Sequence, residues 1–358
     1  MRRQAKARAM LSAVLAAGLG MAYVADVKAG AAGTPAPASP PPVTPPPIDP
    51  LTMAVPDTLE AHIQAATLAA GLDLWGILTL CLPGDPAAVL PAVDERAPPA
   101  KVFDNLYYVG MKGVAAWALT TSQGIIVIDS LNNPMEAQTA IEGGMRDLGL
   151  DPTQIKHILI THGHADHYGG AQYLADKYKA EVVMGEADWA FLETSRPQPR
   201  PDRGDVPRRG RAVKDGDRLT LGDTSIEMYV TPPHTPGTLS LIFPVKDGAM
   251  SHMAGLWGGT GFVFEPNHEN FVTYAASAAR FAQMEAMKSV DVILSNHPVF
   301  DDALTKIEAL KSRRADMHPF VTGPNTVARY QMVASQCAQA RARALVEPKQ
   351  TDPSGIIK

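Results

Sequence analysis

The sequence predicts an α/β chain folded as a four-layer αβ/βα sandwich, two β-then-α halves meeting at a shared cleft. Three observations carry this expectation. Residues 155–160 form an apolar run that leads directly into Thr161-His162-Gly163-His164-Ala165-Asp166-His167-Tyr168-Gly169-Gly170, and residues 171–178 then have helical character. Two further strand-like runs, 225–230 and 290–295, are each followed closely by a histidine: His234 in Pro233-His234-Thr235-Pro236-Gly237, and His297 in Asn296-His297-Pro298. Each of these strands belongs to a half in which strands are followed by helical patterns.

The composition sets the bounds. With 358 residues, 46% hydrophobic and 19% charged, the chain can bury one domain of about 250 residues with tails left over. The net charge of −5 comes with no long basic block, so neither nucleic acid nor an anionic membrane surface is expected as a partner. A small-molecule substrate is. Arg2, Arg3, Lys6 and Arg8 precede an apolar stretch over 9–24 and small residues around Val27-Lys28-Ala29. This reads as a secretory signal over 1–29, which places the mature protein in the periplasm or outside the cell. An uncleaved anchor helix is the alternative, because the apolar run approaches a bilayer span. Residues 30–56 form a Pro-rich linker, with nine prolines from Pro35 to Pro50, too poor in apolar side chains to pack a core.

The elements follow in order. Asp57 as N-cap and Glu60 at the capping-box position predict a helix to Ala70, with His62 facing solvent. An apolar stretch to Leu82 carries Cys81, and the only other cysteine, Cys337, lies in a predicted C-terminal helix. In an exported chain the two can form one disulfide, or remain two buried thiols. Neither lies near the histidine motifs, which argues against a catalytic thiol. Residues 105–110, 114–121 and 124–128 read as antiparallel strands joined at Met111-Lys112-Gly113 and Ser122-Gln123-Gly124, with Trp117 a core aromatic.

An amphipathic helix is expected over 134–148, then the strand over 155–160, in which His157 is packed or paired. A strand over 181–185 and a short helix over 186–193 complete the first half. Residues 194–211 are Arg-rich among prolines and glycines: a solvated loop, or a cationic lid for a substrate carboxylate. The second half opens with a hairpin signal at 216–223 and continues with strands over 238–244 and 249–254. His252 is structural or lines the site. Helices over 270–287, 303–313 and 327–345 follow, and His268 and His318 stand apart from the metal motifs.

Four potential metal ligands within six residues point to chemistry. His162 and His164, two apart, project to one side and can close on one cation. Asp166 and His167, at the mouth of the next helix, can reach a second cation about 3.5–4 Å away, the spacing of two-metal hydrolases. Gly163, Gly169 and Gly170 let backbone and metals approach closely.

The order His162-x-His164-x-Asp166-His167, then His234-Thr-Pro-Gly, then a strand ending at His297 resembles the metallo-β-lactamase fold superfamily, from about Phe103 to Pro298. Within it the residues look most like the third subclass, B3, of the class B enzymes. The resemblance implies a metallo-β-lactamase domain over 57–358 that begins with an N-terminal helical extension, with two zinc ions. One would rest on His162, His164 and His234, the other on Asp166, His167 and His297. It also implies a flap at 111–113 and a structural role for Asp129. The run Ala249–Trp257 holds neither the bridging Asp of thioesterases of the glyoxalase II type nor the Cys of other lactamase subclasses.

The implied activity is hydrolysis of the β-lactam amide of penicillins, cephalosporins and carbapenems by a zinc-activated hydroxide that Asp166 orients. A lactonase or thioesterase on the same metals is the alternative, and a noncatalytic metal-binding module a second. A redox di-iron scaffold would call for carboxylate-richer ligands than His164 and His234.

Overall fold

The structure, a computed structural model, describes residues 54–82, 95–195, 197–314 and 316–346. The signal segment 1–29 and most of the linker 30–56 lie outside the described residues. Two sheets form the centre. The first runs in spatial order through β1 (Ala100–Lys101), β2 (Leu106–Tyr108), β3 (Trp117–Thr121), β4 (Gly124–Ile128), β5 (Ile155–Leu159), β6 (Glu181–Gly185) and β7 (Arg211–Val213). The second comprises β8 (Arg218–Leu221), β9 (Thr224–Val230), β10 (Leu239–Asp247), β11 (Met250–Trp257) and β12 (Val292–Ser295), ordered β12-β11-β10-β9-β8.

Period-2 alternation sorts the side chains. On β3 and β4, Trp117, Leu119, Ile126 and Ile128 turn inward to meet Leu241, Phe243 and Leu256 of the second sheet. Ala118, Ile125 and Val127 turn outward, where Ile141, Met145 and Leu174 of the helices cover them. Burial on both faces explains why β4 and β5 read as near-continuous apolar runs. The second sheet is covered by the helix His268–Met287, whose Tyr274 and Phe281 pack edge-on or tilted against Trp257. Helices, two sheets and helices make the four layers of the predicted αβ/βα sandwich.

Register places the functional ends together. β4 and β5 are parallel, with Ile128 opposite Leu159, so Asp129 and Thr161 emerge at one edge. β11 and β12 are parallel with Trp257 opposite Ser295, so His297 emerges likewise. The cleft forms outside the carboxyl ends of these strands, where α/β sheets generally bind ligands. The strands expected over 105–110 and 114–121 shorten to β2 and β3, and beyond them Ala115 N–H donates outward to Asn296 O (2.9 Å). That bond ties the 111–113 turn to the His297 loop.

The N-terminal extension differs from expectation in two details. The helix spans Leu59–Ala70 and its N-cap is Thr58, whose hydroxyl accepts from Ala61 N–H. Asp57 instead pairs with Arg343 and His62. His62 is buried rather than solvent-facing, its ring bonded to Gln336 (2.6 Å), because this helix packs along Pro324–Val346. Cys81 and Cys337 form a disulfide across the same interface.

Beneath β11, Glu285 is buried beside Gly255 and Val290, its carboxyl accepting from Gln331 Nε2 at 3.4 Å. Burial pushes its carboxyl well above the ordinary value of 4.5. A folded-state pKa above the unfolded one gives stability that is full below the unfolded value and is lost as pH rises through the folded one. Glu285→Gln, neutral at every pH, is therefore expected to gain stability relative to the wild type between about pH 5 and pH 8. Urea unfolding of both proteins at the two pH values measures this; a constant difference would contradict it.

Candidate metal centre

β5 ends at Leu159, and the chain turns through Thr161 to Gly163 before the short helix Ala165–Tyr168. Asp129, at the end of β4, fixes this turn: its carboxylate accepts from Thr161 N–H (2.8 Å), Thr161 Oγ1 (2.9 Å) and His167 Nδ1 (2.8 Å). Gly169 then passes so close to the 130–133 segment that a Cβ would lie 1.9 Å from Asn132 O.

The structure brings the six predicted residues together as two triads. In the first, His234 Nε2 lies 3.0 Å from His162 Nε2 and 3.1 Å from His164 Nδ1. In the second, Asp166 Oδ2 lies 3.4 Å from His167 Nε2 and 3.8 Å from His297 Nε2. In each triad the ligand atoms lie within 4.8 Å of one another. A tetrahedral ion bound at about 2.0–2.1 Å separates its ligands by about 3.3 Å, close to these spacings.

The remote nitrogens are anchored too. His167 Nδ1 donates to Asp129, His234 Nδ1 to Gly261 O (2.6 Å), and His297 Nδ1 to Gly113 O (2.8 Å). His162 Nδ1 faces Thr161 Oγ1 (3.1 Å). Such partners select the tautomer and aim the free nitrogen inward. Among the described residues His167 Nε2, fully buried, has no hydrogen-bond partner. An orphaned nitrogen beside a carboxylate and two more imidazoles fits a cation.

In the three-histidine set the electrostatics agree with metal-ligating protonation states. Burial, reinforced by neighbouring imidazoles, holds His162 and His234 well below the ordinary 6.5, and burial takes His164 to about 4. All three are neutral at neutral pH, the form that ligates. Burial also opposes charge on His167, yet the Asp166 and Asp129 carboxylates push it up to about 10. Against its own burial, Asp166 is held well below the usual carboxylate range by His167 and His297.

Comparison with known proteins follows the same lines. The family model of the metallo-β-lactamase superfamily matches residues 109–251. The crystal structure of BJP-1, a subclass B3 metallo-β-lactamase of Bradyrhizobium japonicum, is similar at 30% identity and a TM-score of 0.54, over 66% of this chain and 90% of that one. The chain belongs to the metallo-β-lactamase superfamily. Other structural neighbours of this superfamily member include further class B3 enzymes. Among them is the di-zinc enzyme LRA-12 from an Alaskan soil metagenome, at 23% identity and a TM-score of 0.54 over 68% of this chain and 95% of that one. The hydroxyacylglutathione hydrolase of Nostoc punctiforme is 28% identical over 145 residues, 38% of this chain and 49% of that protein. The chain spans about half the length or less of the first curated relatives it matches.

In this superfamily member a cleft of about 300 Å³ opens beside His164, walled by Tyr168, Phe191, Leu192, Arg200 and Arg203. The Arg-rich segment thus borders the centre, with Arg200 and Arg203 paired to Asp202 at 2.8 and 3.2 Å. His157 pairs with Glu181 (3.3 Å) and His252 with Asp291 (2.6 Å); His318 bonds Val102 O and stacks on Phe103. These three are structural.

Sequence reasoning missed Asn296 and Asp188. Asn296 Nδ2 lies 3.2 Å from His162 Nδ1, and its adjacency to His297 was the available signal. Asp188 accepts from Gly163 N–H (2.7 Å), Thr235 Oγ1 (2.6 Å) and Gly237 N–H (2.6 Å). Nothing in its spacing marks it.

Proposed function

We propose that this protein is a zinc-dependent hydrolase that opens the β-lactam amide bond. His162, His164 and His234 would hold one ion, and Asp166, His167 and His297 the other. Bound there, zinc supplies Lewis-acid chemistry, making water acidic enough to ionise near neutral pH and polarising a carbonyl. The Asp166 carboxylate, about a quarter exposed and ionised, accepts a hydrogen bond from the attacking water and so sets the direction of its lone pair. Tyr168, Phe191 and Leu192 shed water from the apolar part of a substrate. A substrate carboxylate would compete with Asp202 for the Arg200 and Arg203 forks.

The observation that carries the β-lactamase reading is what β11 leaves out. Its Gly255 faces Glu285, its Leu256 enters the core between the sheets, and Gly259 just beyond it rests against His234, so no carboxylate or thiolate from this strand joins the triads. The B3 neighbours support the same reading. A thioesterase or lactonase is the second reading, favoured by the hydroxyacylglutathione hydrolases among the curated relatives. We further propose an exported protein, since a disulfide persists in oxidising compartments. Among the described residues no helix is long and apolar enough to cross a membrane.

The deciding experiment strips the mature protein with a chelator, restores zinc, and measures hydrolysis of a penicillin, a cephalosporin, a carbapenem, a lactone and a thioester. Zinc-dependent opening of the β-lactams is the expected result. Zinc-dependent cleavage of the thioester or lactone alone would replace the β-lactamase reading with the second.

A further inference from the structure

The helix Glu186–Ser195 leaves β6 and carries Asp188 into a fully buried position between two loops that are remote in sequence. Its carboxylate takes three donors. Oδ2 accepts from Gly163 N–H and Thr235 Oγ1, and Oδ1 from Gly237 N–H, at 2.7, 2.6 and 2.6 Å. Among the described residues no Lys, Arg or His pairs with it. Burying a carboxylate without a counter-cation is costly, and hydrogen bonds from fixed donors are what offset it. A fold that needed only packing here would be served by an apolar side chain.

The donors identify the purpose. Gly163 lies between His162 and His164, so the direction of its N–H sets the plane of the backbone that aims both rings. Thr235 and Gly237 flank the other side, directly after His234. Both glycines give the carboxylate room: a Cβ at Gly237 would lie 2.4 Å from Asp188 N, and one at Gly163 3.4 Å from Asp188 Cγ. The hydrogen bonds of the second triad go elsewhere, His167 to Asp129 and His297 to Gly113 O.

We propose that Asp188 is a positioning residue for the three-histidine triad, clamping the 162–164 turn to the 234–237 loop so that three imidazole nitrogens converge on one ion. The proposal rests on the two-triad metal reading. Its consequence is an asymmetry that a merely structural residue would not produce: loss of Asp188 weakens one site and spares the other.

The test uses the full mature chain in two backgrounds. His297→Ala leaves the three-histidine triad intact, and His162→Ala leaves the Asp166, His167 and His297 set. Zinc affinity is measured in each by competition with a chromogenic chelator, with and without Asp188→Asn. In the first background Asp188→Asn is expected to weaken zinc binding by about 10- to 100-fold, the usual cost of losing a residue that orients a ligand. In the second background affinity is expected to stay unchanged. Equal losses in both, or no loss in the first, would overturn the proposal.

Thr235→Val, which removes one donor and leaves the carboxylate, is expected to weaken the first background in the same direction. Thr235→Ser, which returns the hydroxyl, is expected to restore it; a Thr235→Ser variant as weak as Thr235→Val would count against the clamp. If the parent backgrounds and the wild type bind no zinc, the metal reading itself fails and takes this proposal with it. Normal zinc binding in the parents, unaffected by Asp188→Asn, overturns the clamp alone.

Discussion

His234→Ala is expected to lower hydrolysis by about a thousand-fold and to cut bound zinc from two ions per chain toward one. The geometry makes this ligand the hinge of its triad: its Nε2 is within 3.0 Å of His162 and 3.1 Å of His164, and it is the triad's one member from the second half. A Lewis acid contributes several kcal/mol to stabilising the charge that develops in the transition state. At 1.36 kcal/mol per decade, losing it costs roughly three decades in rate. His167 and His297 keep their own anchors at Asp129 and Gly113 O, so the second triad is expected to retain its ion. Elemental analysis of the purified variant and kcat/KM on the best substrate check both halves, with circular dichroism to verify the fold. Two ions per chain and wild-type turnover would remove His234 from the ligand set.

The contrast between what the sequence discloses and what it hides follows from range. β4, β5 and β6 are buried on both faces, so their apolar runs stand out at once, and the 162–167 ligands are contiguous with one of them. His234 and His297 are legible because each closely follows a strand. The anchors are different. Asp188 meets Gly163 and Gly237 across 25 and 49 residues, and Gly113 O meets His297 across 184. Carbonyl oxygens have no sequence signature at all. The misread details of the extension have the same origin: local capping rules favour Asp57 and an exposed His62, but docking on the C-terminal helix recruits Asp57 to Arg343 and buries the His62 ring against Gln336. Tertiary contact overrides local preference there.

The same docking makes the double variant Cys81→Ser/Cys337→Ser the largest expected change in stability. The disulfide joins residues 256 apart, so reduction releases a very long loop, and removing such a link costs about 2–5 kcal/mol. At roughly 2–4 °C per kcal/mol for a domain of this size, the melting temperature is expected to fall by roughly 5–15 °C. Packing of Ala65, Ala66 and Ala69 and the Asp73–Arg329 pair would remain, which is why partial docking survives below the new midpoint. The extension also reaches the metal side of the molecule: a Cβ at Gly76 would lie 2.3 Å from Val299 O, in the helix Pro298–Asp301 that directly follows His297. Freeing the extension is therefore expected to loosen the support behind His297, one of the proposed zinc ligands. Zinc loss on heating is expected to begin at a lower temperature in the double variant, ahead of global unfolding. Differential scanning calorimetry with a fluorescent zinc indicator separates the two events. An unchanged midpoint would mean that packing alone seats the extension, and a lowered midpoint with zinc release still coincident with unfolding would sever the link to His297.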